Sequence, residues 1–215
     1  MRAHRVLCLL IVLVARAAMA QEHDHDHMSH HDHPAPTQGA AASTSALYTD
    51  DDLSFLTHMI MHHQQALDMC ALVPSRSDRE QFNRFARYLD GAQRAEIDQM
   101  NALLKEASDR GIQAPHHEMT GDPPMAGMLS KAQMLELAAS KGAKFERLWL
   151  QGMIYHHQGA VDMSLAQQER DFRTHRDPYG IEVMVDDILS SQRAEIAKMQ
   201  GWLSEWGLTS SGASH

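Results

Sequence analysis

Cysteine is almost absent from this chain, with Cys8 and Cys70 the only two in 215 residues. Cys8 falls in an amino-terminal segment that reads as a cleaved export signal, so a mature chain keeps one thiol and no internal disulfide. Stability then has to come from packing. Positive charge is also scarce, at 19 Lys and Arg against 28 Asp and Glu. That balance argues against nucleic acid as a partner and favours cations. No apolar run approaches the roughly 20 residues that a membrane-spanning helix needs. The longest, at 6–15, follows Arg2 and Arg5 and precedes Ala18-Met19-Ala20, a small-residue cleavage pattern. A retained anchor is the alternative, opposed by the polar residues that follow at once. Alternation of apolar and polar residues, the mark of a strand, is rare throughout.

What is abundant is unusual. Methionine (15) and histidine (16) each outnumber the 12 aromatic residues. Thioether and imidazole together form the donor set suited to copper in its two oxidation states. Methionine is also ordinary core filler, so composition alone does not decide.

The chain divides into residues 1–20, the signal peptide; 21–46, a disordered His-rich tail; and 47–208, a four-helix bundle domain. Removal of Arg2, Arg5 and Arg16 with the signal leaves 16 basic against 28 acidic side chains, a charge of −12. The product is expected in the periplasm or secreted, with no membrane insertion after cleavage.

The tail carries His23, His25, His27, His30, His31 and His33 interleaved with aspartates. Such a stretch is a flexible chelator for borderline divalent ions, Cu(II) first and Zn(II) next. A solubilising tail is the bland reading. Cleavage after Ala20 would also leave a Gln21-Glu22-His23 terminus able to offer nitrogens to Cu(II), unless Gln21 cyclises.

The remainder holds a duplication, with repeats at about 50–110 and 142–206. Met59-Ile60-Met61-His62-His63-Gln64-Gln65-Ala66-Leu67-Asp68-Met69 returns as Met153-Ile154-Tyr155-His156-His157-Gln158-Gly159-Ala160-Val161-Asp162-Met163, with eight of eleven positions identical. Gln93-Arg94-Ala95-Glu96-Ile97-Asp98-Gln99-Met100 returns as Gln192-Arg193-Ala194-Glu195-Ile196-Ala197-Lys198-Met199, with six of eight identical. Two copies of one helical hairpin follow. Helices are expected at about 50–73, 77–110, 142–173 and 179–206, with a short one capped by Ser130. A long crossover at 112–129 carries Pro115, Gly121, Pro123, Pro124 and Gly127. The fold class expected is all-α: a ferritin-like four-helix bundle built from two repeated hairpins.

With Met59 at zero and about 100° per residue, His63 falls near 40°, Ala66 near −20°, His62 near −60° and Met69 near −80°. Met153, His156, His157 and Met163 repeat the arrangement. On the partner helices Glu96 with Met100, and Glu195 with Met199, lie one turn apart on the apolar face. A glutamate there needs a partner, and the second nitrogen of a ligating histidine would serve. Met59, His62, His63, Met69 and Met100, with Met153, His156, His157, Met163 and Met199, are therefore candidate metal ligands. One histidine or methionine on a helix face is more often structural, but the set recurs in both halves. The crossover adds His116, His117, Met119, Met125 and Met128, and thioethers in a mobile loop suit Cu(I).

These motifs resemble the family known as domain of unknown function 305. Met125-Ala126-Gly127-Met128 and Gly142-Ala143-Lys144-Phe145 also match its pattern, so the resemblance covers about 50–206. It implies a ferritin-like bundle, often exported, with some members periplasmic copper-binding proteins linked to copper resistance. The expected function is copper binding, Cu(I) through Met and His and Cu(II) through His, for sequestration, resistance or transfer. Silver and zinc are further candidate ions, and a copper exporter or another periplasmic copper protein is a candidate partner. Catalysis is not expected. Two alternatives stand beside this: a ferritin-like metalloenzyme or metal oxidase, and a partner-binding bundle with structural histidines. Di-iron bundles need Glu-x-x-His pairs, and here only Glu22 with His25 has that spacing, in the tail.

Overall fold

Thr49 opens the first helix. Its hydroxyl accepts from the Asp52 amide at 3.2 Å, and the Asp52 carboxylate accepts from the Thr49 amide at 2.7 Å. This reciprocal cap satisfies two amides that helical geometry leaves unpaired. The computed structural model describes residues 47–116, 120–121, 125–174 and 180–209. The residues expected to form a signal and a His-rich tail (1–46), His117 and Met119 lie outside them.

Five helices follow in order: α1 (Asp50–Leu72), α2 (Glu80–Asp109), α3 (Lys131–Ala139), α4 (Gly142–Thr174) and α5 (Ile181–Glu205). No strand occurs among the described residues. A 3-10 turn at Val73–Ser75, with Pro74 in its first positions, ends α1. α2 starts three residues later than periodicity suggests. Ser77 is spent elsewhere: its hydroxyl donates to Glu146 at 2.5 Å and accepts from the Arg79 amide at 3.2 Å. Ser130 caps α3 through Gln133, as its position predicts.

α1 pairs with α2, α4 pairs with α5, and the two hairpins meet along α1 and α4. Those two central helices run antiparallel. Trp149 Nε1 donates to the Met69 carbonyl (2.9 Å), His156 faces His62, and Gln167 donates to the Asp52 carboxylate (2.9 Å). Small residues sit at this seam: Ala66 on α1 and Ala160 on α4 are fully buried, and a Cβ on Gly152 would stand 3.3 Å from the Met69 methyl of α1.

The apolar interior lies in two clusters. One gathers Phe82, Phe85, Leu89, Phe145, Trp149 and Leu150 around Met69, Met153 and Met199. The other gathers Leu53, Phe55, Leu56, Ile181 and Ile188 around Met59 and Met100. Each fully buried side chain of this size adds about 1.5–3 kcal/mol. The four motif histidines are buried as well. Among the described residues no helix is long and apolar enough to cross a membrane.

Candidate metal centre

The stripe on α1 is wide enough to face two neighbours at once, and the two histidines of the motif part company. His63 turns toward α2, where its Nε2 donates to Glu96 at 2.6 Å. His157 repeats the contact toward α5, donating to Glu195 at 2.9 Å. A carboxylate can only accept, so Nε2 carries the proton, and in the neutral ring Nδ1 is a bare lone pair. Both Nδ1 atoms are buried and meet no hydrogen-bond partner. The glutamates are nearly buried too, at 14% and 7% side-chain exposure.

His62 and His156 turn instead toward each other across the hairpin interface. Their ring centroids lie 3.8 Å apart, against 6.5 Å between His62 and His63. His156 Nε2 donates to the His62 carbonyl at 2.9 Å, leaving its Nδ1 unpartnered. Neither ring nitrogen of His62 makes a well-aligned hydrogen bond, and the Ala126 carbonyl is the backbone acceptor that bears on the ring. Burial holds the His62 imidazole near pKa 3, with the neighbouring His63 and His157 adding to the depression and the Ala126 carbonyl opposing it. His156 is held well below its ordinary value, again chiefly by burial and then by its histidine neighbours. Both rings are therefore neutral and able to donate a lone pair at neutral pH.

The thioethers sort by height in the bundle rather than by repeat. Met59 and Met100 share one cluster, on the helices that carry His63 and Glu96. Met153 and Met199 share the other, on the helices of His157 and Glu195. Met69, however, packs with the second repeat's pair, and half-buried Met163 packs against the first repeat's. The reason is antiparallel packing: ten residues along α1 carry the chain from one cluster to the other. Met163 also lines an open groove with His58, a histidine that its place off the buried stripe leaves out of the sequence-based set.

The crossover donors separate. His116 is exposed, Met125 half-buried and Met128 buried at 7% exposure. The end of the crossover is not the mobile loop that its prolines and glycines suggest. Gln65 Nε2 donates to the Leu129 carbonyl (2.9 Å) while the Leu129 amide donates to Gln65 Oε1 (2.7 Å). Cys70 is buried, and burial, followed by Asp90 and Glu195, pushes its thiol up to about 12. It behaves as a small apolar residue.

Among the described residues no three histidine, cysteine, aspartate or glutamate side chains gather into a ready chelate. The helices that carry His63 and His157 also carry buried thioethers, Met59 and Met100 with the first and Met153 and Met199 with the second. A neutral nitrogen with two such sulfurs is a soft set that fits monovalent copper, which accepts two or three donors.

Comparison with known proteins agrees with this architecture. The family model described as domain of unknown function (DUF305) matches residues 52–203. No curated protein matches. Among solved structures, a putative secreted DUF305 protein from Streptomyces coelicolor is 29% identical, with 74% of this chain and 96% of that one covered and a TM-score of 0.63. A DUF305 fragment from Deinococcus radiodurans is 32% identical, covering 73% and 97%, also with a TM-score of 0.63. CopM in its Cu(I)-bound form is 27% identical, covering 74% and 98%, with a TM-score of 0.54.

Proposed function

The chain belongs to the DUF305 family, and on that premise we propose that it is an exported, non-catalytic protein that binds copper for sequestration, resistance or transfer. Cu(I) binds in the folded core through methionine and histidine, and Cu(II) is captured by the histidines of the tail. His63 with Met59 and Met100 forms one core set, and His157 with Met153 and Met199 the other. Met69 and Met163 stand beside the sets of the opposite repeats, and silver follows Cu(I) because its donor preferences are alike.

One observation carries the reading: a buried imidazole, held through Nε2 by a glutamate and bare at Nδ1, occurs twice at equivalent positions. A carboxylate on the far nitrogen of a ligating histidine fixes its tautomer and raises its basicity. An unpartnered buried nitrogen is otherwise costly, by about 1–3 kcal/mol each. Copper and silver complexes of the related CopM support the choice of ion.

The experiment is a Cu(I) titration against a competing chelator. Wild type is compared with a variant carrying alanine at His62, His63, His156 and His157, and with a deletion of residues 21–46. Loss of the tight Cu(I) sites in the first variant, with their retention in the second, is expected. If both bind like wild type, the core assignment is wrong.

A further inference from the structure

The two copies of the motif differ in a way that metal binding alone does not explain. Gln65 and His58 on α1 correspond to Gly159 and Gly152 on α4. Both glycines lie under the crossover. A Cβ on Gly159 would stand 2.5 Å from the Gly127 Cα and 2.6 Å from the Ala126 oxygen. A Cβ on Gly152 would stand 3.0 Å from a Leu129 methyl. Seven residues apart, the two glycines line one helix face and form a trough along α4. The backbone of Ala126 and Gly127 and the side chain of Leu129 lie in it, with Gly127 in the left-handed region at φ 84°. From the other side, the Gln65 amide holds Leu129 by both of its backbone groups.

What lies beneath is His62. A Cβ on Gly127 would come within 3.1 Å of His62 Nε2, and the Ala126 carbonyl also bears on this ring, so the crossover backbone lies directly against His62. His62 itself is fully buried.

We infer that the 125–129 crossover is a latched cover over the His62–His156 pair, with Gln65 as the latch and Gly159 as its seat. This rests on the proposed core metal binding and adds how access to that core is controlled. A soft monovalent ion reaches His62 Nε2 only when the cover lifts, so Gln65 is a positioning residue that sets exchange speed. Met125 and Met128 ride on the cover and move with it.

The latch is tested in the full mature chain with Gln65→Ala, and with Gln65→Glu as a gentler second variant that keeps an acceptor for the Leu129 amide but loses the donor to its carbonyl. Two measurements need no metal: hydrogen exchange at the Leu129 amide, and the rate at which diethylpyrocarbonate modifies His62 relative to His157. Loss of two hydrogen bonds should speed both exchange and His62 modification by roughly tenfold or more in Gln65→Ala, with a smaller gain in Gln65→Glu. His157 should keep its wild-type rate. A third measurement, Ag(I) release to a chelator, should quicken in parallel. Unchanged His62 modification with a freed Leu129 amide would overturn the cover. So would equal acceleration at His62 and His157, which signals general loosening. If Ag(I) fails to bind the core in every variant, the copper reading falls, while the cover is still judged on the modification rates.

Discussion

A neutral imidazole sealed inside a bundle makes the fold sensitive to acid. His62 stays unprotonated in the folded state until about pH 3, whereas in the unfolded chain it takes up a proton near 6.5. Below 6.5 the unfolded state therefore binds more protons, and stability falls as the pH drops through that window. For His62 the loss between pH 7 and 5 is roughly 2 kcal/mol. Urea midpoints should accordingly be lower at pH 5 than at pH 7, and His62→Gln should flatten that slope. An unaltered slope would mean that His62 is protonated in the fold.

The glutamates make a second prediction at the same scale. Glu195→Ala strands His157 Nε2 in the interior, at a cost of about 1–3 kcal/mol. It should also weaken Cu(I) or Ag(I) binding by about 10- to 100-fold. Glu195→Gln, which can still accept through its amide oxygen, should lose less of both. Tyr88 gives a reporter for this carboxylate, because its hydroxyl is raised above its ordinary value mainly by Glu195. Removing that charge should bring the ultraviolet titration of Tyr88 back down.

Among the elements, α4 has the most unusual requirement, since it serves both as a core helix and as the bed of the crossover. Glycine usually weakens a helix interior by about 0.5–1 kcal/mol relative to alanine. At Gly91, on the exposed face of α2 with nothing within 4 Å of a new Cβ, alanine should recover about that amount. At Gly159 the same change drives a methyl into the crossover backbone and should cost about 1–3 kcal/mol. Thermal unfolding of the two variants, run side by side, distinguishes a helix-propensity effect from a seating role. The element boundaries were largely legible beforehand, because Pro74, Ser130 and Gly111 are local signals. The late start of α2 was not, because it depends on Glu146, 69 residues away from Ser77.

For the molecule as a whole, the two hairpins are joined along α1 and α4 by a layer of imidazoles with thioether-containing clusters on either side. Ligand that binds only the folded state raises its stability by mass action, about 2.7 kcal/mol at a hundredfold excess over Kd. Silver or Cu(I) should thus raise the melting temperature of the tail-deleted protein by roughly 5–10 °C. The four-histidine variant should show little of this shift. An equal shift in that variant would place the binding outside the core.

The sequence by itself determined the helical class, the duplicated hairpin and the buried stripe of histidine and methionine, since each is written in short-range periodicity and repetition. It also pointed to a partner for Glu96 and Glu195, because a carboxylate on an apolar face requires one. Only the tertiary structure decided that His62 pairs with His156 rather than with His63. It alone decided that Met69 and Met163 pack with the opposite repeats, and that the crossover lies against His62 and is held at Leu129 by Gln65. A stripe 120° wide does not say which neighbour each residue meets; that is decided by how the two hairpins dock.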